Sequence, residues 1–191
     1  MGDLARLRPS ASGSLVKRRE LEHILRAAAD IADDDEIIVI DSQAILGEHP
    51  DAPPALCVSV EADVYPKNKP EHWNVIDGAI GEGSMFHETF GYYAQGVEEG
   101  TATLPDGWRE RLVLVSNAST RFVKGWCLET HDLVLSKYVA DREKDRRFIR
   151  AAIDAGYLDR GVLESRAPTL RVDDDRKWRI LERIAHDFAA G

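Results

Sequence analysis

The sequence predicts an α+β fold, and three observations point that way. Most strand-like runs come early, most helical stretches come late, and 191 residues at ~150 per domain make one domain. That order favours α+β over a doubly wound α/β sheet, in which strand and helix alternate throughout.

Residues 1–14 (MGDLARLRPSASGS) are small, carry a proline and read as a flexible arm. From Leu15 to Ile31 the apolar positions Leu21, Ile24, Leu25, Ala28 and Ile31 share one helical face, with Ser14 as N-cap. Aspartates 33–35 end that helix, and Glu36 to Ile40 follows as a short buried strand. Residues 41–47 turn into a brief helix, and Pro50, Pro53 and Pro54 make 49–54 a loop. Alternation around Val58, Val60, Ala62 and Val64 gives a strand over Leu56–Tyr65, then a turn at 66–70 and a helix over Glu71–Ile80. Glycines at 81, 83, 91, 96 and 100 punctuate a region expected to hold strands at Gly91–Val97, Thr101–Leu104 and Arg111–Val115. Phe122–Leu128 is a further strand, and helices over Leu133–Val139, Glu143–Ala155 and Asp175–Ala189 follow. The chain therefore divides into an arm (1–14), a core (15–128) and a helical C-terminal part (129–191) packed on that core as a single compact unit.

Thirty-four acids against 25 Lys and Arg give a net charge of −9. Such a surface does not coat nucleic acid through its overall field, although a local basic patch remains open to it. Cys57 and Cys127 form no CxxC pair, and the six histidines show no ligand spacing, so neither a disulfide framework nor a zinc site is indicated. No apolar run approaches the ~20 residues of a membrane span. Arg6 stands where a myristoylation signal needs Ser or Thr, and no signal peptide is expected. These features indicate a soluble cytoplasmic protein without a membrane partner.

Glu61 and Asp63 carry the most chemical information. In a strand, positions i and i+2 point to the same face, placing two carboxylates ~7 Å apart beside apolar neighbours. Such a pair repels itself unless a cation sits between its members, and all-oxygen ligation suits Mg²⁺ (or Mn²⁺) in phosphoryl or nucleotidyl transfer. The plainer reading is an edge strand with a solvated acidic face. Upstream, a strand runs directly into Ser42 and a short helix, a turn that offers a hydroxyl and backbone N–H groups to a triphosphate. Downstream, Lys137 lies in an otherwise apolar helical stretch, where it either snorkels to water or pairs with an anion. On an unbroken helix Asp145 would lie ~12 Å further along and about 80° round.

The order Ser42-Gln43-Ala44-Ile45-Leu46-Gly47, then Glu61-Ala62-Asp63-Val64-Tyr65, then His131-Asp132-Leu133 through Ser136-Lys137 to Arg142-Glu143-Lys144-Asp145 resembles bacterial nucleotidyltransferase-fold proteins related to AbiEii-type toxins. The resemblance extends over residues 20–155. It implies a minimal, polymerase-beta-like nucleotidyltransferase core: a small mixed sheet bearing metal carboxylates, followed by a helical C-terminal part. It implies an NTP substrate with Mg²⁺ or Mn²⁺, an acceptor that is RNA (tRNA among some toxin relatives) or a protein hydroxyl, and a cognate antitoxin if the chain is a toxin. Carried over by residue, Ser42, Lys137 and Arg142 would bind nucleotide and Glu61 and Asp63 would hold metal. Glu61, Asp63, Lys137 and Asp145 would form the catalytic set.

One departure matters. The family turn carries Gly-Ser or Gly-Gly, and here it is Asp41-Ser42. Glycine permits positive φ and close approach to phosphate, and aspartate resists both. A carboxylate ~4 Å from a phosphate charge costs roughly 4 kcal/mol at an effective dielectric near 20. Asp41 is then either an extra metal ligand or a mark of weakened nucleotide binding. The alternative to an active enzyme is accordingly a catalytically weak or inactive nucleotide-binding or interaction module on the same fold.

Other residues have two readings each. Glu129 is a candidate third carboxylate, with Asp132 as a helix cap. Phe86, His87 and Tyr92 either stack on a base or belong to the core of a glycine-punctuated strand. Gly81-x-Gly83 lacks the third glycine of a dinucleotide fingerprint. Within 141–150, five basic residues against three acids make either an RNA-facing patch or a solvated helix face. Trp108 anchors a turn, and Arg111 is within reach of phosphate in the extended reading.

Overall fold

A computed structural model describes residues 15–189; the arm and the expected cap at Ser14 lie outside the described residues. The chain folds as α1 (Arg18–Ala32), β1 (Glu36–Ile40), α2 (Ile45–Glu48), β2 (Glu61–Pro66), α3 (Trp73–Ile80), α4 (Met85–Phe90) and β3 (Tyr93–Gly96). It continues through β4 (Val113–Val115), β5 (Lys124–Cys127), α5 (Thr130–Ala140), α6 (Glu143–Asp154), α7 (Arg160–Arg166) and α8 (Asp174–Ala189). This is an α+β fold with a mixed five-stranded sheet in the order β3-β2-β1-β5-β4. β1 pairs antiparallel with β2 and parallel with β5, β2 runs parallel to β3, and β4 is antiparallel to β5.

Two glycines show which face of the sheet the early helices cover. A Cβ on Gly125 would come within 2.4 Å of Leu25 on α1, and one on Gly96 within 2.0 Å of the Trp73 carbonyl on α3. Ala62 and Val64 pair with Ala94 and Gly96, so they share that covered face and are buried. By strand alternation Glu61 and Asp63 point to the opposite face, away from α1 and α3.

Several expectations need correction. α1 starts at Arg18, where the Lys17 backbone N–H donates to the Glu20 carboxylate at 3.2 Å; Val16, just before it, bonds the Ser59 carbonyl instead. The strand foreseen over Leu56–Tyr65 is confined to Glu61–Pro66, because Pro53 and Pro54 wind residues 54–56 into a 3₁₀ turn. Thr101–Leu104 is not a strand; residues 99–101 form another 3₁₀ turn, and Pro105 makes only an isolated bridge to Leu170. Met85–Phe90 is helical, started by the Ser84 hydroxyl accepting from His87 N–H and stopped by Gly91 in the left-handed region. α7, capped by Asp159, was not foreseen. Among the described residues no helix is long and apolar enough to cross a membrane.

Candidate functional site

The site forms where β1 ends. Ile40 pairs with Asp63, so the next residue, Asp41, leaves the sheet beside that carboxylate. Here the chain turns sharply into the 3₁₀ turn 42–44, and Asp41 takes φ 62° and ψ −163°. That region belongs almost wholly to glycine and strains any L side chain. The backbone therefore has the shape the resemblance associates with glycine, while the side chain is a carboxylate.

The second wall comes from α5 and α6. Asp141 is left-handed at φ 53° and breaks the helix that the sequence reading allowed to run on. The chain doubles back, and Asp145 comes to 3.5 Å from Lys137 Nζ rather than lying remote along one helix. Lys137 is 2 % exposed and Asp145 0 %. Lys137 Nζ donates to Asp41 Oδ1 at 2.5 Å, Ser42 Oγ at 2.8 Å and Asp145 Oδ1 at 3.5 Å, which occupies all three protons of the ammonium. The Phe148 ring lies 4.5 Å from the same nitrogen. Arg142 closes the network, donating from Nε to Asp145 Oδ2 at 2.7 Å and standing 4.0 Å from Asp41. Burial opposes ionisation of Asp41, but Lys137, with Lys144 and Arg142 behind it, holds its carboxyl below the usual value.

Asp63 is in the opposite situation. Burial, reinforced by the negative charges of Asp41 and Glu61, pushes its carboxyl up to about 7, against the pull of Lys144 and Lys137. Glu61 is held from the side by the Tyr93 hydroxyl, which donates to Oε2 at 2.7 Å. Burial and this carboxylate together raise the Tyr93 phenol above its ordinary value. Among the described residues no group of three or more His, Cys, Asp or Glu side chains is arranged to hold a metal by itself.

These walls enclose a cleft of about 330 Å³, bordered by Ile40, Asp41, Asp63, Lys137, Arg142 and, from α8, Arg176; residues 101–103 also line it. Ser42, Asp63, Lys137, Arg142 and Asp145 are thus brought into one neighbourhood, with Glu61 beside Asp63 on the same strand. Sequence reasoning missed Tyr93 and Arg176. It also missed that Asp41 pairs with Lys137; a lone lysine inside an apolar helix was the available signal.

Residues weighed in the sequence have other partners. Glu129, not Asp132, caps α5, accepting from the backbone N–H of His131 and Asp132. Burial opposes its ionisation, yet His131 and Arg166 lower its carboxyl to about 2. Asp132 is fully buried and paired with Arg111 at 2.7 Å and Arg166 at 2.9 Å, and neither Glu129 nor Arg111 is among the residues that line the cleft. Phe86 and Tyr92 pack with Phe90 around His23. His87 accepts from Gly83 N–H. On α6, Arg146 pairs with Asp141 and Arg147 with Glu143, as on a solvated helix face.

A family model described as "Nucleotidyltransferase of unknown function (DUF6036)" matches residues 19–189. No curated protein and no solved structure matches the chain.

Proposed function

The chain belongs to this nucleotidyltransferase family, and from that membership we propose that it transfers a nucleotide from an NTP to an acceptor hydroxyl in a reaction dependent on Mg²⁺ or Mn²⁺. The observation that carries the reading is the state of Asp63. Its side chain makes no hydrogen bond or ion pair among the described residues, is raised to about 7 and lines the cleft beside Glu61. A hard divalent cation would relieve that repulsion, and Mg²⁺ is commonly held by one or two carboxylates together with substrate phosphates. Glu61 and Asp63 are the residues that would hold it, and the ion would supply neutralisation of charge on the phosphates.

In this reading the acceptor oxygen attacks the α-phosphorus, the bond to the bridging oxygen breaks, pyrophosphate leaves and the hydroxyl proton passes to water. The protein contributes position and fixed charge rather than covalent chemistry. Tyr93 fixes Glu61, Asp145 and Ser42 fix the Lys137 ammonium, and Arg142 adds a second cation at the rim. The narrower likeness to AbiEii-type toxins, with RNA or protein as acceptor and an antitoxin as partner, is part of the same proposal and rests on the motifs from Ser42 to Asp145.

A second reading has its own observation. All three protons of Lys137 are already satisfied, one by Asp41, so an incoming phosphate finds that cation occupied. This favours a weak nucleotide binder on the same fold. Thermal unfolding with each NTP, with and without Mg²⁺, tests for the site: metal-dependent stabilisation of wild type that is lost in Asp63→Asn is expected. No shift at millimolar Mg-NTP would contradict both readings.

A further inference from the structure

We propose that Arg176, in the first turn of α8, is a substrate-binding residue of this cleft: the cation that receives the phosphate chain at its mouth. The inference rests on the nucleotidyltransferase reading and deepens it, because α8 is part of the family match but holds none of the site motifs, which run from Ser42 to Asp145.

Among the described residues three cations line the cleft: Lys137, Arg142 and Arg176. Lys137 is bound by Asp41 and Asp145, and Arg142 by Asp145. Arg176 has no carboxylate partner among the described residues; its guanidinium donates to the Val139 carbonyl at 2.5 Å. That single bond leaves most of its five N–H donors for a ligand, and the planar fork matches two phosphate oxygens. Substrate phosphates bring several negative charges into a cleft whose other cations are already matched by Asp41 and Asp145. The uncommitted guanidinium is the group that can meet them without breaking an existing pair.

The fold holds Arg176 in place. Asp173 caps the start of α8, accepting from Arg176 N–H at 2.8 Å. Ile180 and Ile184 anchor the helix in the core, and Tyr138 on α5 donates to Asp187 at 3.1 Å. Arg183 pairs with Asp141, the residue that separates α5 from α6. The C-terminal helix is therefore tied to the same turn that brings Asp145 to Lys137. Arg179 offers an internal comparison: it lines a neighbouring groove together with Arg176 and Arg183 but not the cleft itself.

Calorimetric titration of the full chain with each Mg-NTP and with magnesium tripolyphosphate tests the assignment. Arg176→Gln removes the charge from an exposed side chain, so its melting temperature should stay close to that of wild type. Its dissociation constant should rise about tenfold or more for both Mg-NTP and tripolyphosphate, as for loss of a charge-assisted contact. Arg176→Lys should fall between the two, and Arg179→Gln should stay within about twofold of wild type. Equal affinity of Arg176→Gln and wild type would overturn the assignment while leaving the nucleotide site standing. Equal weakening by Arg176→Gln and Arg179→Gln would overturn it in favour of a general field effect. A wild type that binds none of these probes would overturn the nucleotide reading and this inference together.

Discussion

Lys137 Nζ lies 2.5 Å from Asp41 Oδ1, and the aspartate that holds it there sits at a backbone conformation suited to glycine. The carboxylate occupies the ammonium that the family resemblance assigns to the triphosphate. Asp41 thus places an internal anion in the cleft, at a backbone conformation strained for any side chain.

Asp41→Gly is expected to tighten Mg-NTP binding roughly tenfold or more, because a carboxylate close to a phosphate charge costs up to about 4 kcal/mol. Asp41→Ala removes the same carboxylate but keeps a Cβ at φ 62°. The glycine variant should therefore be more stable than the alanine variant by about 1–2 kcal/mol in urea unfolding. Unchanged affinity in both would show that Asp41 does not compete with substrate.

Asp145→Ala is expected to destabilise the fold by about 3 kcal/mol, since it leaves the buried Lys137 with one carboxylate instead of two. It also removes the carboxylate that accepts from the Arg142 backbone N–H at the start of α6. Chemical denaturation measures the loss. A change under 1 kcal/mol would mean that Asp41 alone suffices to compensate Lys137.

Asp63 makes the metal-free protein sensitive to pH in a defined direction. Its folded carboxyl is raised to about 7 from 3.8, so the folded state holds the proton more tightly than the unfolded one. Its effect is absent below about pH 4, and stability falls as pH rises between about 4 and 7. Asp63→Asn should therefore be roughly 1–3 kcal/mol more stable than wild type at pH 8, after allowing for solvent screening, and equal to it at pH 4. Saturating Mg²⁺ should close the gap at pH 8. Parallel stability curves for the two proteins would contradict the charge repulsion described at this strand.

Tyr93→Phe tests whether Glu61 is held in place for a ligand. The hydroxyl bonded to Glu61 Oε2 is the only atom removed. Loss of such a supporting contact commonly weakens a metal site by about tenfold or more. The Mg²⁺ concentration that half-saturates NTP-induced stabilisation should rise accordingly, with little change in the melting temperature of the free protein. An identical Mg²⁺ titration would leave Tyr93 a packing residue only.

Strand periodicity was enough to put Glu61 and Asp63 on one face and to place β1 ahead of Ser42, because a two-residue repeat is a local property. Early strands and late helices gave the α+β class for the same reason. The Lys137–Asp145 contact was not legible, since the break between the two helices shows in the sequence but the direction of the turn depends on Asp141 taking the left-handed conformation. α4 was hidden by its glycines, although Ser84 at the N-cap and Gly91 at the C-terminal stop are recognisable signals. The two prolines before Leu56 outweighed the alternation that suggested a longer β2. That Glu129 caps α5 while Asp132 is buried in ion pairs turned on Arg111 and Arg166, 18 residues before and 37 after Glu129, whose approach only tertiary structure determines. Arg176 lay outside every motif.

Nucleotidyl transfer at Glu61 and Asp63 can be read from the transfer of a labelled nucleotide. Purified protein, Mg²⁺ or Mn²⁺, each α-labelled NTP in turn and total tRNA are incubated beside the Glu61→Gln/Asp63→Asn variant. Label on RNA or on protein with wild type alone is the expected result, and it identifies base and acceptor together. No label with any NTP, from folded protein that still binds Mg-NTP, would contradict the enzyme and leave a nucleotide-binding module.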